Sequence, residues 1–199
     1  MKLGDFERVT DTHVYFVRGP FSQWHYSDFH ANNFIVGINR WCGRLYKYNC
    51  CEQYMMQNKA LLMQDGESAR KIMNETSATM IKQYGREIKN FDQELWDSVK
   101  FQLVVEGNYW KFCQSKEMQD YLSSTGDRIL VEAAHYDSIW GVGLRETDDA
   151  ILDEANWKGQ NLLGKALMIV RDKYESDEFR AERDNFIETI ITPLDKKWR

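Results

Sequence analysis

Glu52 and Lys59 are the residues of this sequence whose types and spacing first suggest chemistry. They lie in CCEQYMMQNKALLM (50–63), which has the composition of a helix and is otherwise largely apolar. At about 100° per residue, two positions seven apart lie within roughly 20° of each other, so the acid and the amine share one helix face with Met55 and Met56 between them. If that face is buried, both charges need each other, other polar groups or a ligand as partners. The spacing therefore leaves three possibilities: a polar cavity, a simple ion pair, or a helix face exposed to solvent.

Two further acids lie inside apolar patterns. Glu132 falls within ILVEAA (129–134), which is typical of a strand. Glu106 continues an apolar stripe at helical spacing, which is formed by Trp96, Val99, Leu103 and Trp110. Each acid could instead be a structural group that accepts backbone hydrogen bonds. Together with Glu52, they predict a polar pocket walled by aromatic side chains.

Two glycine-containing segments suggest contact with a ligand. In HYDSIWGVGLRETDD (135–149), Gly141 and Gly143 have no side chain, so a ligand can approach their backbone closely. A lone G-x-G is more typical of a turn than of a phosphate-binding loop. In WKGQNLLG (157–164), Asn161 lies where a helix begins, and helix N-termini bind anions. A polar cap on a packing helix explains Asn161 equally well.

The elements that must position these residues form a mostly helical α+β pattern with a small β-sheet. Short β-branched and aromatic runs predict strands at 13–17, 33–38, 44–48 and 128–134. Helices are predicted from residue 52, where Gly66 closes the first helix at a left-handed position. The later helices are expected over 67–75, over 77–85, from a cap at Asp92 to about Ser115, within 157–174 and from Asp177.

Composition limits the class of protein. The chain has 199 residues, 43% of them hydrophobic, which is enough for the core of one domain. Its 26 basic and 31 acidic residues give a net charge of −5, and no basic run is interleaved with aromatics, so nucleic acid is expected only as a modified substrate. No segment approaches the roughly 20 apolar residues of a membrane span, and the first residues lack the apolar core of a signal peptide. We expect a cytoplasmic protein without a membrane partner, and the oligomeric state is left open.

The cysteines and histidines show no metal-ligand spacing. The four cysteines form no CxxC pair, and they are too few for a disulfide scaffold. We therefore expect reduced, packed thiols. The four histidines are scattered along the chain, so neither a metal nor another cofactor is expected. The positions concerned are Cys42, Cys50, Cys51, Cys113, His13, His25, His30 and His135.

Six blocks of the chain together resemble the NADAR domain, also called the YbiA-like family. They occur in the family's order and cover roughly residues 15–174. Three of them are specific in combination: E-x-Y-M-M-x-x-K-A from Glu52, the T-G-D…L-V-E-A…D-x-x-W-G-x-G run, and W-x-G-x-N-x-L-G. The blocks are GPFSQWHYSDF (19–29), CEQYMMQNKALL (51–62), GREIKNFD (85–92), LWDSVKFQLVVEGNYWKFCQ (95–114), LSSTGDRILVEAAHYDSIWGVGL (122–144) and NWKGQNLLGKALMIVRD (156–172).

The resemblance implies an α+β fold and N-glycosidase activity. Members of the family cleave the bond between ribose and a nitrogen base, in phosphorylated aminopyrimidine intermediates of riboflavin biosynthesis or in ADP-ribosylated guanine. The family motifs imply a catalytic set of Glu52, Lys59 and Asp137. They imply a substrate-binding set of Arg86, Trp96, Trp140, Gly141 and Asn161, in which Arg86 is a phosphate contact.

The chemistry that the resemblance implies leaves two questions open. Glycosidic cleavage builds positive charge on the ribose while the base departs with electrons, so the site needs an anion near C1′ and a proton donor at the base. Glu52 and Asp137 could supply both, without the sequence showing which does which. Lys59 could also attack the ribose and form a Schiff base, which requires a neutral amine.

Some features depart from the family pattern. The segment GINRWCGRLYKYNCC (37–51) is longer and more polar than the family's usual turn, and His25 and Tyr26 replace a proline-containing turn. We expect a domain over 1–174 and a helical extension over 175–199 with one apolar stripe, which docks on its own domain or on a second copy. The alternative to an enzyme is a module on the same scaffold that binds ADP-ribose or a nucleotide without cleaving it.

Overall fold

The computed structural model describes residues 2–33 and 45–173, with positions 181, 184, 185, 188 and 189. Four strands come first: β1 (Arg8–Val9), β2 (His13–Phe16), β3 (Phe29–Asn32) and β4 (Leu45–Tyr48). Five helices follow: α1 (Cys51–Leu62), α2 (Gly66–Met73), α3 (Ala78–Arg86), α4 (Gln93–Cys113) and α5 (Lys116–Ser123). The order ends with β5 (Ile129–Glu132), short 3₁₀ turns at Asp149–Leu152 and Glu154–Asn156, and α6 (Leu162–Lys173). This architecture confirms the α+β prediction.

A three-stranded sheet joins the two ends of the domain. Strand β2 lies in the middle, antiparallel to β1 and parallel to β5, with Phe16 opposite Glu132. A parallel neighbour requires a long crossover, and helices α1 to α5 provide it. Because the two strands are parallel, their carboxyl ends lie at one sheet edge, which brings Arg18 and Glu132 together. Strands β3 and β4 form a separate antiparallel pair.

Helix α1 is the centre of the core. Nine of its twelve residues are buried, because α2, α3 and α4 all pack against it. Two glycines allow this close packing: a Cβ on Gly85 would lie 1.9 Å from Sδ of Met56, and one on Gly107 would lie 2.7 Å from the Tyr54 ring. Polar side chains on α1 are therefore surrounded by other elements, and charged ones need a cavity or partners.

The end of the first helix differs from the prediction. Gly66 does not close α1 at a left-handed position; it is the first residue of α2. Gln64 adopts the left-handed conformation instead, with φ of 58°. Asp65 then caps α2, because its Oδ1 accepts a hydrogen bond from the N–H of Ser68 at 3.1 Å. The prediction at Gly66 is wrong because Asp65, directly after the left-handed residue Gln64, begins a second helix.

The long helix begins as predicted and ends slightly early. Asp92 caps α4 by accepting a hydrogen bond from the N–H of Leu95 at 2.9 Å. The helix ends at Cys113, and Ser115 caps the next helix, α5, which the sequence analysis did not predict. Strand β4 pairs with residues 29–32. Most of the strand predicted at 33–38 lies outside the described residues, because residues 34–44 are not described.

The C-terminal prediction falls largely on residues that the structure does not describe. The helix expected from Asp177 and its apolar positions Phe179, Phe186, Ile187, Ile190 and Ile191 lie outside the described residues, as does Cys42. The three described cysteines, Cys50, Cys51 and Cys113, are buried and form no disulfide, as the prediction of packed thiols expects. Among the described helices, none is both long enough and apolar enough to cross a bilayer.

Candidate active site

A cavity of about 390 Å³ opens where α1, α3 and the start of α4 meet the chain after β2 and the loop after β5. Six of the eight residues predicted for the site line it: Glu52, Lys59, Arg86, Trp96, Asp137 and Trp140. These residues come from four separate parts of the chain, so the fold brings together groups that the sequence holds up to 88 positions apart (52 to 140).

Glu52 lies in the first turn of α1 and presents its carboxyl group to the cavity. The residue is 3% exposed, and its Oε1 finds no hydrogen-bond partner among the described residues. Burial raises the pKa of this carboxyl from its ordinary 4.5 to about 7, although Lys82, a hydrogen bond from Trp24 and Lys59 act in the opposite direction. A carboxyl with this pKa exchanges its proton near neutral pH.

Lys59 lies on the same face of α1, nearly two turns further along. Its Nζ donates a hydrogen bond to the carbonyl oxygen of Gly85 at 2.8 Å and lies 4.5 Å from the centroid of the Phe91 ring. Within the described ranges it forms no ion pair with Glu52. Burial lowers the pKa of the amine, and the negative charge of Glu52 partly opposes this. Of the three possibilities that the spacing left open, the structure shows the cavity.

Asp137 organises the loop that closes one side of the cavity. Its Oδ1 accepts hydrogen bonds from the backbone N–H groups of Ile139 at 2.9 Å and Trp140 at 2.8 Å. These bonds hold the turn that places Trp140 at the wall of the cavity. Asp137 therefore both supports the loop and brings a carboxylate to the site.

Glu132 is a second acid at the cavity, half-buried as a residue but with a buried carboxyl oxygen, and its place in an apolar strand predicted a polar pocket here. It is the last residue of β5, and its Oε2 is buried without a hydrogen-bond partner in the part of the chain that the structure describes. Burial raises its pKa from 4.5 to about 8; the neighbouring charges of Asp137 and Glu52 add to this, and Lys82 opposes it. The sequence analysis did not include Glu132 in its catalytic set.

Asn161 and Gly141 do not line the cavity, although both were predicted to contact substrate. The side-chain Oδ1 of Asn161 accepts a hydrogen bond from the N–H of Glu132 at 3.0 Å. The Nδ2 of Asn161 donates one to the carbonyl of Leu130 at 2.8 Å. A Cβ on Gly141 would lie 2.9 Å from the carbonyl oxygen of Glu132. Both residues contact the backbone of β5, so they support the position of this strand and do not themselves line the cavity.

Glu106 is also outside the cavity. Its Oε1 lies 3.8 Å from Nζ of Lys173 on α6, so it takes part in an ion pair between α4 and α6. The prediction that Glu106 joins a common pocket with Glu52 is wrong. The position of Glu106 in the apolar stripe indicates only that it faces a packed element. That element is α6, which carries Lys173.

Sequence reasoning missed several residues of the cavity. Lys82 lies one turn before the predicted Arg86 on α3, and this i, i+4 spacing was a readable signal for a basic face. Trp24 lies in a family block but was not singled out, and it is 42% exposed at the cavity. Arg18 follows β2, and Tyr136 precedes Asp137; neither stands in a pattern that distinguishes it from an ordinary surface residue.

A buried lysine holds the segment that carries Trp24. Lys111 on α4 is 1% exposed, and its Nζ donates hydrogen bonds to the carbonyl oxygens of Pro20 at 2.6 Å and Ser22 at 2.9 Å. The next residue, Gln23, lines the cavity, and its carbonyl accepts a hydrogen bond from the N–H of Glu52 at 2.9 Å. Helix α4 therefore positions this wall through a buried charge.

Three comparisons with known proteins agree with this geometry. The model of the NADAR domain family matches residues 12–175. N-glycosidase R617 of Acanthamoeba polyphaga mimivirus is 42% identical over 127 residues, which are 64% of this chain and 75% of the viral protein. Protein irg-1 of Caenorhabditis elegans is 34% identical over 177 residues, 86% of this chain and 83% of the nematode protein. The NMR structure of the E. coli protein YbiA shares the fold, with a TM-score of 0.63 over 87% of this chain and 90% of YbiA at 23% identity.

Proposed function

The chain belongs to the NADAR domain family, and from this membership and the geometry of the cavity we propose that it hydrolyses the N-glycosidic bond between a ribose and a nitrogen base. The protein is then a hydrolase of N-glycosyl compounds. One observation carries the proposal: two buried carboxyl groups, each with an oxygen that lacks a partner among the described residues, share a cavity with a lysine amine. A module that only binds its ligand has no need for this set of groups.

The charges that develop during the reaction match the groups in the cavity. As the C1′–N bond breaks, positive charge builds on the ribose and the electron pair leaves with the base. The Glu52 carboxylate is suited to stabilise the ribose cation or to orient water, since the positive side chain of Lys82 favours its ionised form. Trp96 and Trp140 wall the cavity, where their rings stack on the base and keep bulk water away.

Lys59 provides the nucleophile of a covalent route. Its amine is hydrogen-bonded to a backbone carbonyl, and burial favours the neutral form that attack requires. The amine nitrogen bonds to C1′ as the base departs with the electron pair of the broken bond, and the nitrogen releases a proton to Glu52. The ribose ring then opens to an imine, and water hydrolyses the imine to free sugar and the original amine.

The substrate class follows from the basic rim and the cavity volume. Lys82 and Arg86 on α3 and Arg18 after β2 line the same opening, where they suit a phosphate on the ribose. A cavity of about 390 Å³ lies at the small end of the range for ligand pockets. A ribosylated base with one phosphate fits this volume, as in the aminopyrimidine intermediates of riboflavin biosynthesis, and ADP-ribosylated guanine would extend beyond it.

The test is to incubate the purified protein with each of the two substrate types and to follow release of the base and the sugar by mass spectrometry. We expect release from the phosphorylated aminopyrimidine riboside, and none with Glu52→Gln. Release only from ADP-ribosylated guanine would keep the reaction type and overturn the substrate class. Binding of either compound without release by the wild type would contradict the enzymatic proposal and favour the binding module.

A further inference from the structure

We propose that Glu132 is the acid that protonates the departing base. This inference rests on the proposed N-glycosidase function and goes beyond it, because it assigns the two buried carboxyl groups of the cavity to different steps. The catalytic set predicted from the sequence left the proton donor open between Glu52 and Asp137, and it did not contain Glu132.

The backbone of Glu132 is held on both sides. Its N–H donates to Oδ1 of Asn161 at 3.0 Å, and its carbonyl oxygen accepts a hydrogen bond from the N–H of Val142 at 2.9 Å. On the other edge of β5, the adjacent N–H of Ala133 donates to the carbonyl of Phe16 at 2.6 Å. A proton donor must lie within hydrogen-bond reach of the atom that it protonates, and an acid on a fixed strand end keeps that position.

The carboxyl group of Glu132 is left with a hydrogen-bonding capacity that the described residues do not use. Its Oε2 is buried at the cavity and has no partner there. A neutral carboxyl is a donor as well as an acceptor, and a buried polar atom without a partner costs free energy. A nitrogen or oxygen atom of a bound base supplies the missing acceptor, which is the arrangement that proton transfer requires.

The charged surroundings separate the roles of the two glutamates. Glu132 faces Asp137 and Tyr136 on the following loop, Glu52 on α1 and Lys82 on α3, and Arg18 lines the same cavity. Two of these neighbours are acids, which disfavour a negative charge on Glu132.

Glu52 has a more favourable setting for a negative charge. Lys82, Lys59 and a hydrogen bond from Trp24 all favour its ionised form. The pKa of about 8 for Glu132 and of about 7 for Glu52 follow this order. At pH 7, Glu132 keeps its proton in most molecules and Glu52 is about half ionised, so the two groups can act as an acid and an anion in one site.

The step balances as follows. The C1′–N bond breaks, its electron pair passes to the base, and the carboxyl proton of Glu132 bonds to the base, which leaves as a neutral molecule. The nucleophile, Lys59 or water, bonds to C1′ and gives its proton to Glu52. A proton then passes from Glu52 through water to Glu132, so both side chains return to their starting forms and the net reaction consumes one water.

The experiment compares Glu132→Gln with the wild type on two substrates. The first is the phosphorylated aminopyrimidine riboside, whose base needs a proton to depart. The second is 4-nitrophenyl β-D-ribofuranoside 5-phosphate, whose leaving group departs as a stable anion. We expect Glu132→Gln to lower kcat by about 100-fold or more on the first and by less than about tenfold on the second. The falling limb of the pH–rate profile on the first substrate should also disappear. Glu106→Gln is the matched control, because that carboxyl lies outside the cavity, and it should keep wild-type rates.

The outcomes separate this inference from the function itself. Suppose that the wild type is active and that Glu132→Gln loses activity by the same factor on both substrates. Glu132 then supports the site without donating a proton, and only this inference is overturned. A wild type that cleaves neither substrate nor ADP-ribosylated guanine would overturn the proposed function, and the role of Glu132 with it. If circular dichroism shows that Glu132→Gln does not fold, Glu132→Asp is the deciding variant, because it keeps an acid at this position. Partial activity with a retained falling limb of the pH–rate profile supports the proton-donor role. Full activity without that falling limb overturns it.

Discussion

Glu52 and Lys59 face one cavity from the same helix without pairing with each other. The lysine Nζ donates to the carbonyl oxygen of Gly85 at 2.8 Å, and Oε1 of Glu52 has no hydrogen-bond partner among the described residues. An ion pair with the Glu52 carboxylate would favour the protonated form of the amine, which is a poor nucleophile. Their separation leaves a carboxyl that titrates near neutral pH and an amine whose pKa is lowered by burial. This relationship gives the first three predictions below.

Replacing Glu52 by glutamine should abolish turnover in a folded protein. The change preserves shape and removes only the charge, so we expect kcat to fall by about 10²–10⁴-fold, the range typical of a positioned acid or base. Initial rates of base release and the far-UV circular dichroism of both proteins measure the effect. A variant with wild-type rates would remove Glu52 from the mechanism.

The same substitution should stabilise the protein at alkaline pH. The folded-state pKa of Glu52 is raised from 4.5 to about 7, so its contribution to stability is fully present below about pH 4.5 and is lost as pH rises through about 7. Glutamine does not titrate, so Glu52→Gln should gain at most roughly 3 kcal/mol over the wild type at pH 8.5 and close to nothing at pH 4.

Urea unfolding of both proteins at the two pH values measures this difference. Glu106→Gln serves as the control, since its carboxyl lies outside the cavity. A Glu52→Gln advantage that is equal at both pH values would mean that burial does not shift the pKa of Glu52.

Lys59 should form a covalent adduct with the sugar. Borohydride added during turnover is expected to reduce the imine and leave a sugar adduct on the wild type, which mass spectrometry of the tryptic peptide detects. Lys59→Arg keeps the charge but is a far poorer nucleophile, so it should show no adduct. A wild type that turns over substrate without any adduct would instead favour direct attack by water, with Lys59 as a binding group.

Lys111 should position the cavity wall from a distance. Lys111→Met removes the donor to the carbonyls of Pro20 and Ser22 and leaves them buried without a partner, at a cost of about 1–3 kcal/mol. The adjoining residues Gln23 and Trp24 line the cavity. We therefore expect the fold-increase in KM to be several times larger than the fold-decrease in kcat. Lys165→Met on α6 is the control, since that lysine is exposed. Equal unfolding midpoints for the two variants would show that Lys111 does not anchor the segment.

Local features of the site could be predicted from the sequence because they depend only on neighbouring residues. Helical periodicity places Glu52 and Lys59 on one face whatever surrounds the helix. The cap at Asp92 and the turn from Asp137 to Trp140 are likewise built from hydrogen bonds that span two or three residues. These short-range relations survive in the structure.

Tertiary structure decided which buried acid belongs to the site. Glu106 and Glu132 both lie in apolar patterns, yet Glu106 meets Lys173 and Glu132 meets the cavity. Periodicity shows that a side chain faces a packed neighbour, but it does not identify the neighbour. For Glu132 the neighbour depends on the pairing of β5 with β2, which are more than a hundred residues apart in sequence.

The same limit applies to Asn161, which the sequence predicts at a helix start. Only the folded chain brings both of its amide atoms to the backbone of β5, where they hydrogen-bond to Glu132 and Leu130. The sequence by itself therefore determined which groups the site can use and which of them share a local face. The packing of distant elements decided which of those groups face the cavity, because burial and charge at each group depend on residues that only the fold brings near.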